Sequence, residues 1–208
     1  MYESLEKLIN KIQAEYSNIS TEWNKNEMPK RINLKNTLVK DILMSDTIKG
    51  EILAYRNYIN DNIIDFTIKL QTENFKGCKI NTRVKTQNSI EFKTKNYFEN
   101  HENGEIPINK CFNDLFGIRI ILEQNIDHKQ IQTFIKEKYK NLKCINSSKK
   151  KGNYKATHVY FSINNYTFPW ELQIWNKVDE ENNLKSHEMY KQEYVKWEAE
   201  NKGGNIYG

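Results

Sequence analysis

The spacing of apolar residues changes near Cys78, and this change limits the folds open to the chain more than any other feature. Before that position, apolar residues recur every three or four residues, which predicts amphipathic helices. After it they alternate or form short continuous runs, which predicts strands. Helices that precede a mixed sheet, with a crossover helix inside the sheet region and a closing helix at the end, predict an α+β fold.

Two apolar stripes predict the first helices. One stripe runs from Tyr2 to Tyr16, and the second follows Ser45, a residue suited to cap a helix, and continues to Leu70 as a single long helix. We interpret both stripes as core-facing. Asp127 is suited to cap the crossover helix. The closing helix is expected at roughly Asn183 to Glu200.

The strand region contains one segment with the pattern of a central strand. Leu115 to Leu122 is almost entirely apolar, which is typical of a strand buried on both faces. Two more strands, Thr157 to Ile163 and Tyr166 to Trp175, flank Asn164-Asn165, which predicts a hairpin turn. The polar stretch from Asn146 to Asn153 predicts a loop.

Composition narrows the class of protein. A length of 208 residues suits one domain with a real core, and the net charge of +5 favours encounters with polyanions. The three cysteines lie far apart and form no C-x-x-C pair, which argues against a disulfide framework or a zinc site. The sequence has no apolar run that could span a membrane and no signal peptide, so no membrane partner is expected and the cytoplasm is the expected compartment.

Two carboxylates predict a metal site. Asp114 opens the apolar strand, and Glu171 shares one face of a later strand with Gln173. Because ionised carboxylates are almost never left unpaired inside a sheet, a divalent ion that bridges Asp114 and Glu171 would resolve both. Hard oxygen ligands favour Mg²⁺, with substrate phosphates in the remaining positions. The alternative is a solvated strand face.

Basic and aromatic residues around these carboxylates indicate a nucleotide. The basic residues Arg83, Lys85, Lys93 and Lys95 carry enough charge to hold a triphosphate. The sequence has neither a P-loop nor a Rossmann glycine motif. Tyr154 can stack on a nucleobase while nearby lysines reach phosphates. Equally, Tyr154 can be an edge aromatic of the sheet and His158 a hydrogen-bonded structural histidine, so the residues alone indicate no more than a nucleotide site.

Taken in order, the motifs Arg83-Val84-Lys85 with Ser89 and Lys93, Asp114, Tyr154-x-x-x-His158 and Glu171-x-Gln173 resemble the synthetase domain of the RelA/SpoT family. These alarmone synthetases move pyrophosphate from ATP to a nucleotide 3′-hydroxyl. The resemblance covers about residues 79 to 191. It implies a nucleotidyltransferase-like mixed sheet in a single domain, 1–208, with a helical part at 1–75 and a catalytic sheet region at 78–191.

The resemblance also implies a role for each matching residue. The positions that match its ATP-binding element are Arg83, Lys85, Ser89 and Lys93. The positions on the acceptor side are Tyr154, His158, Gln173 and Lys149. Asp114 and Glu171 match the metal-binding and catalytic carboxylates, and Arg119 matches a supporting arginine of the same strand as Asp114. His187, Tyr190 and Lys191 match a closing motif.

The implied activity is transfer of the β,γ-pyrophosphate of ATP to the 3′-hydroxyl of GDP or GTP, with Mg²⁺, by a stand-alone synthetase. The acceptor side departs from the family pattern at Asn153, where a glycine is usual, and at Trp175, where an arginine is usual. Two alternatives therefore stay open. One is a toxic small member that modifies the tRNA 3′ end or adenine nucleotides, and the other is an inactive module that binds a nucleotide or a partner protein. A homo-oligomer and a protein antitoxin are further partners left open.

Overall fold

Helices occupy the start of the chain, as the apolar stripes predict. The computed structural model describes residues 2–25, 32–73, 75–148, 153–189 and 192. The first four helices are α1 (Tyr2–Lys25), α2 (Val39–Leu43), α3 (Asp46–Asn62) and α4 (Ile64–Thr72). The stripe on α1 is buried, and the Ser45 hydroxyl caps α3 by accepting a hydrogen bond from the Ile48 amide at 3.4 Å. Within the described residues, no helix is both long and apolar enough to cross a membrane.

The single long helix predicted after Ser45 is wrong, because it is two helices that meet at Ile63. The Ile63 amide donates to the Ile59 carbonyl and closes α3, and the Ile63 carbonyl then accepts from the Thr67 amide at the start of α4. The apolar stripe continues across this junction since Ile63 and Phe66 are both buried against the same core. No proline or glycine marks the break, so the sequence pattern could not reveal it.

Five strands form one mixed sheet, which confirms the α+β prediction. The strands are β1 (Cys78–Val84), β2 (Phe116–Leu122), β3 (Lys143–Ser148), β4 (Lys155–Phe161) and β5 (Trp170–Asn176). Their order is β1-β2-β5-β4-β3, with β2 and β5 parallel and the other neighbours antiparallel. The apolar strand β2 and its neighbour β5 are central and buried, as expected for continuous apolar runs.

Helices also flank the sheet. They are α5 (Gln87–Asn100), α6 (Ile108–Cys111), α7 (His128–Lys138) and α8 (residues 180–189). Asp127 caps α7, as predicted, and the predicted closing helix is present up to residue 189. The sequence pattern does not predict α5. Its buried residues Ile90, Phe92 and Thr94 alternate, which is the spacing of a strand rather than of a helix.

Two predictions in the sheet region are wrong. The predicted loop from Asn146 begins instead as part of the edge strand β3, whose pairing with β4 satisfies its polar backbone, while residues 149–152 lie outside the described part. The predicted two-residue turn at Asn164-Asn165 is instead a connection of residues 162–169. Tertiary contacts hold this connection, since the Asn165 carbonyl accepts from the Leu34 amide at 2.7 Å and Thr167 is fully buried.

Trp170 anchors β5 to the helices. Its ring packs edge-on against Tyr16 at 5.3 Å and against Phe116 at 4.6 Å between centroids, and its indole N–H donates to the Tyr55 hydroxyl at 3.3 Å. Alternate residues of a strand point to opposite faces. The Trp170 side chain lies on the face of β5 that packs against the helices. The side chains of Glu171 and Gln173 therefore lie on the other face.

The Trp170→Ala substitution is expected to destabilise the fold by ~3–5 kcal/mol, because it removes a fully buried aromatic ring and leaves a cavity. Urea unfolding followed by circular dichroism measures the change. Tyr166→Ala, at an exposed ring, is the control and should change stability by no more than ~0.5 kcal/mol. Equal effects of the two substitutions would contradict the anchoring role of Trp170.

Candidate active site

A cavity of about 420 Å³ lies beside the central strands. Residues of all four motifs identified in the sequence line it, namely Arg83, Lys85, Ser89, Lys93, Asp114, Tyr154, His158, Glu171 and Gln173. Arg119 is not among the residues that line this cavity but contacts Gln173, which does, and Lys149 lies outside the described residues. The structure therefore brings together nine of the residues that the sequence predicts for the site.

Sheet register explains how residues distant in sequence meet. In the parallel pair β2–β5, Gly117 lies beside Glu171 and Arg119 lies beside Gln173. In the antiparallel pair β4–β5, His158 lies opposite Gln173. Side chains alternate between the two faces along each strand, so residues two apart on one strand project to the same face. The residues paired with them on the neighbouring strands project to that face as well. The register thus concentrates polar side chains on one face.

Asp114 is the centre of a cationic cluster. Lys85 Nζ lies 2.7 Å from Oδ2 of Asp114, Lys93 Nζ lies 3.1 Å from Oδ1, and Arg83 Nη2 lies 3.8 Å from Oδ2. Lys85 extends from the residue after β1, and Lys93 reaches the same carboxylate from α5. The helix that the sequence pattern missed therefore supplies one of the three cations that contact Asp114.

Electrostatics keep this cluster ionised. Burial opposes charge on Asp114, but the attraction of the positive charges of Lys93 and Lys85 is stronger. The pKa of Asp114 therefore lies well below its ordinary value of 3.8. Burial also opposes charge on Lys93, yet the attraction of Asp114 raises the pKa of Lys93. For Lys85 burial is the larger influence and lowers its pKa. The cluster holds more positive than negative charge, which suits an anionic ligand.

Glu171 is buried, and its carboxylate accepts three side-chain hydrogen bonds. His158 Nδ1 donates to Oε1 at 2.8 Å, the Tyr160 hydroxyl donates to Oε1 at 3.1 Å, and Gln173 Nε2 donates to Oε2 at 2.7 Å. Burial raises the pKa of Glu171, as does the charge of Asp114, but the bonds from His158 and Gln173 lower it, and the net pKa is lowered. Glu171 is therefore held as a carboxylate with a defined orientation.

Gln173 links Glu171 to Arg119. Arg119 Nε and Nη2 donate to Gln173 Oε1 at 3.2 and 3.1 Å, while Gln173 Nε2 donates to Glu171. Arginine can only donate and a carboxylate can only accept, so the Gln173 amide has one orientation that satisfies both. Burial, followed by the charge of Arg83, lowers the pKa of Arg119 to about 10.

Two aromatic side chains lie against Arg119. The Arg119 guanidinium lies 3.8 Å from the centroid of the Trp175 ring, and its Nη2 lies 3.0 Å from His187 Nε2. His187, on α8, also stacks on Trp175 with centroids 5.6 Å apart. Trp175 thus takes part in a cation–π contact that ties α8 to the sheet.

Tyr154 and His158 are joined by a hydrogen bond. The Tyr154 hydroxyl lies 3.0 Å from His158 Nε2, and its ring meets Trp175 and His187 edge-on. Tyr154 is 4% exposed, so the structure places it within the sheet's packing as well as on the cavity wall. Its predicted role in stacking on an acceptor base stays a prediction.

Sequence reasoning missed Tyr160, which contacts Glu171. It lies two residues after His158 on β4 and opposite Glu171 on β5. Burial, and next the charge of Glu171, raises the pKa of Tyr160, so its hydroxyl remains a donor. The alternation that places Glu171 and Gln173 on one face also applies to His158 and Tyr160, and this signal could have identified the residue.

The donor set suits Mg²⁺. The described residues include no group of three or more His, Cys, Asp or Glu side chains that could hold a metal. Asp114 and Glu171 both line the cavity and lie close enough for Asp114 to raise the pKa of Glu171. Mg²⁺ is commonly bound through one or two carboxylates, with substrate phosphates and water completing its coordination. Two carboxylates beside a cationic cluster therefore fit this ion.

Comparison with known proteins identifies the class of protein. A family model described as "Region found in RelA / SpoT proteins" matches residues 82–194, more than half of the chain. The chain therefore belongs to the RelA/SpoT family, which confirms the resemblance seen in the sequence. Membership supports alarmone synthesis as the general activity. A comparison with curated proteins found no significant match.

Three solved structures of two proteins are similar to this chain. Small alarmone synthetase 1 from Bacillus subtilis is 14% identical, with a TM-score of 0.43 over 72% of this chain and 82% of that chain. Small alarmone synthetase 2 from the same organism is 20% identical, with a TM-score of 0.41 over 71% and 82%. A complex of synthetase 1 with AMPCPP is 15% identical, with a TM-score of 0.39 over 72% and 81%.

The Asp114→Asn substitution is expected to destabilise the protein by ~3–5 kcal/mol at pH 7, because it leaves Lys85 and Lys93 buried without their carboxylate. Since the pKa of Asp114 is lowered by folding, its contribution is present above pH ~4 and is lost as the pH falls through the lowered value. Urea unfolding at pH 7 and pH 3 measures the difference, which should shrink at the lower pH.

Glu99→Gln is the matched control for this substitution. Glu99 forms an exposed ion pair with Lys95 at 3.8 Å on α5, and its loss should cost no more than ~0.5 kcal/mol at either pH. A pH-independent loss in the Asp114 variant, or one no larger than in the control, would contradict the electrostatic role of Asp114.

Proposed function

We propose that the protein transfers the β,γ-pyrophosphate of ATP to the ribose 3′-hydroxyl of GDP or GTP. One observation carries this proposal: a single cavity is lined by both a cationic cluster and the oriented Glu171 carboxylate. Pyrophosphate transfer needs a place for a polyphosphate and an acceptor for a hydroxyl proton. This arrangement supplies both within one site.

The cationic cluster is the proposed donor site. The phosphates of ATP would compete with Asp114 for the N–H groups of Arg83, Lys85 and Lys93, which are charge-assisted donors. Ser89 lies in the first turn of α5, where the helix N-terminus adds favourable potential for an anion. Asp114 and Glu171 are the residues proposed to hold Mg²⁺, which when bound neutralises charge on the transferred group.

Glu171 is the proposed acceptor of the hydroxyl proton. As the 3′-oxygen forms a bond to the β-phosphorus of ATP, its proton passes to Glu171. The bond between the β-phosphorus and the oxygen that bridges to the α-phosphate breaks, and AMP leaves. Gln173 and His158 hold the carboxylate in place, and Tyr154, which also lines the cavity, is the residue proposed to stack on the acceptor base. The catalytic contribution is positioning and electrostatic stabilisation.

An acceptor panel tests the function. Protein, Mg²⁺ and γ-labelled ATP are incubated separately with GDP, GTP, AMP, ADP and tRNA, and the products are separated chromatographically. We expect label on the guanine nucleotides, AMP as the second product, and a loss of at least ~100-fold in Glu171→Gln because the proton acceptor is gone. Glu181→Gln, at an exposed residue of α8, should retain full activity.

The outcomes of this panel are distinct. Label on tRNA or on an adenine nucleotide alone would replace the guanine acceptor with the corresponding alternative. Transfer to no acceptor, with nucleotide binding retained, would leave the inactive binding module. Transfer to guanine nucleotides by Glu171→Gln at the wild-type rate would contradict the role of Glu171.

The Lys93→Met substitution tests the donor site. It removes a buried cation from the cluster and leaves Lys85 and Arg83 to pair with Asp114, so we expect about tenfold weaker binding of a non-hydrolysable ATP analogue, with GDP binding unchanged. Isothermal titration calorimetry measures both affinities. Lys95→Met is the control, because Lys95 lies on the same helix but is not among the residues that line the cavity, and both affinities should be unchanged. Equal weakening of ATP-analogue and GDP binding would contradict a donor-specific role.

A further inference from the structure

Tyr160 donates a hydrogen bond to the proposed catalytic carboxylate of Glu171. It lies on β4 directly opposite Glu171, and its hydroxyl donates to Oε1 at 3.1 Å. The ring has two neighbours: it stacks on His158 with an interplanar angle of 24°, and Lys143 Nζ lies 5.9 Å from its centroid. The hydroxyl is therefore presented to Glu171 by a ring that is packed against other side chains.

The two oxygens of Glu171 differ in how many acceptor positions remain. A carboxylate has about four lone-pair positions, two on each oxygen. His158 Nδ1 and the Tyr160 hydroxyl both donate to Oε1, whereas among the described residues Gln173 Nε2 is the donor to Oε2. Oε1 is thus filled by protein donors, so any group that reaches Glu171, the acceptor hydroxyl or the Mg²⁺ of the proposed function, is directed to Oε2.

We propose that Tyr160 is a positioning residue that makes Oε2 the oxygen of Glu171 that receives the acceptor hydroxyl. This inference rests on the proposed function. Without the Tyr160 hydroxyl, Oε1 would have a vacant acceptor position, and the incoming hydroxyl could bond to either oxygen. Only one of these two geometries would be aligned with the donor phosphate, and reaction rates are sensitive to displacements of about 1 Å. Tyr160 acts through Glu171 and has no contact with substrate in this proposal.

The Tyr160→Phe substitution tests this role, because it removes the hydroxyl and keeps the ring that packs on His158. We expect kcat to fall about tenfold, equivalent to ~1.4 kcal/mol, with the KM values for ATP and for the guanine nucleotide unchanged. Tyr166→Phe is the matched control, since Tyr166 is exposed on the 162–169 connection, and its kinetics should equal those of wild type.

A second measurement detects the contact without any turnover. In protein labelled with ¹³C at tyrosine Cζ, the Tyr160 resonance is identified by its loss in Tyr160→Phe. We expect this resonance to shift in Glu171→Gln, because the hydroxyl then donates to a neutral amide rather than to a carboxylate, whereas the Tyr166 resonance should not move. An unmoved Tyr160 resonance would overturn the inference.

Kinetic measurements distinguish a failure of the proposed Tyr160 role from a failure of the proposed pyrophosphate transfer. An active wild type with an equally active Tyr160→Phe overturns the role of Tyr160 and leaves the function standing. A Tyr160→Phe variant whose KM values rise while kcat is unchanged also overturns it, because the hydroxyl would then serve substrate binding. A wild type that transfers pyrophosphate to no acceptor overturns the proposed function itself, together with the catalytic role of Tyr160.

Discussion

Strand β5 is buried on both faces, and its two faces have opposite chemistry. Trp170 and Leu172 project into an apolar core, where burial alone stabilises them. Glu171 and Gln173 project to the other face, where a buried polar group is costly unless it is hydrogen-bonded. The partners that satisfy Glu171 and Gln173 come from β2 and β4, so the requirement to pair them assembles the polar wall of the cavity.

In the resulting hydrogen-bond network, the donor and acceptor roles of the side chains fix their orientations. Arg119 can only donate, so it fixes the carbonyl of Gln173, and the amide nitrogen of Gln173 is then left to donate to Glu171. His158 donates to the same carboxylate from the neighbouring strand. Each group therefore has one role and one orientation, and the site is organised by the protein before a substrate enters. A preorganised site loses less free energy to reorganisation when it binds.

Charge balance distinguishes two parts of the cavity wall. Asp114 contacts three cations, so the local charge there is positive and suits an anion. Glu171, by contrast, is held by hydrogen bonds from side chains of β4 and β5. Trp175 covers the guanidinium of Arg119 with an aromatic ring, and α8 is tied to the same ring through His187.

The order of the four motifs was enough to identify the family, and the spacing of apolar residues was enough to predict the fold class and the central strand β2. These features are local, because a strand's periodicity and a motif's spacing are set by neighbouring residues. The helix α5, the edge strand β3 and the register that places Tyr160 opposite Glu171 could not be read in this way. Each depends on pairing and burial between distant segments, and only the folded sheet, with its particular register, decides which side chains meet.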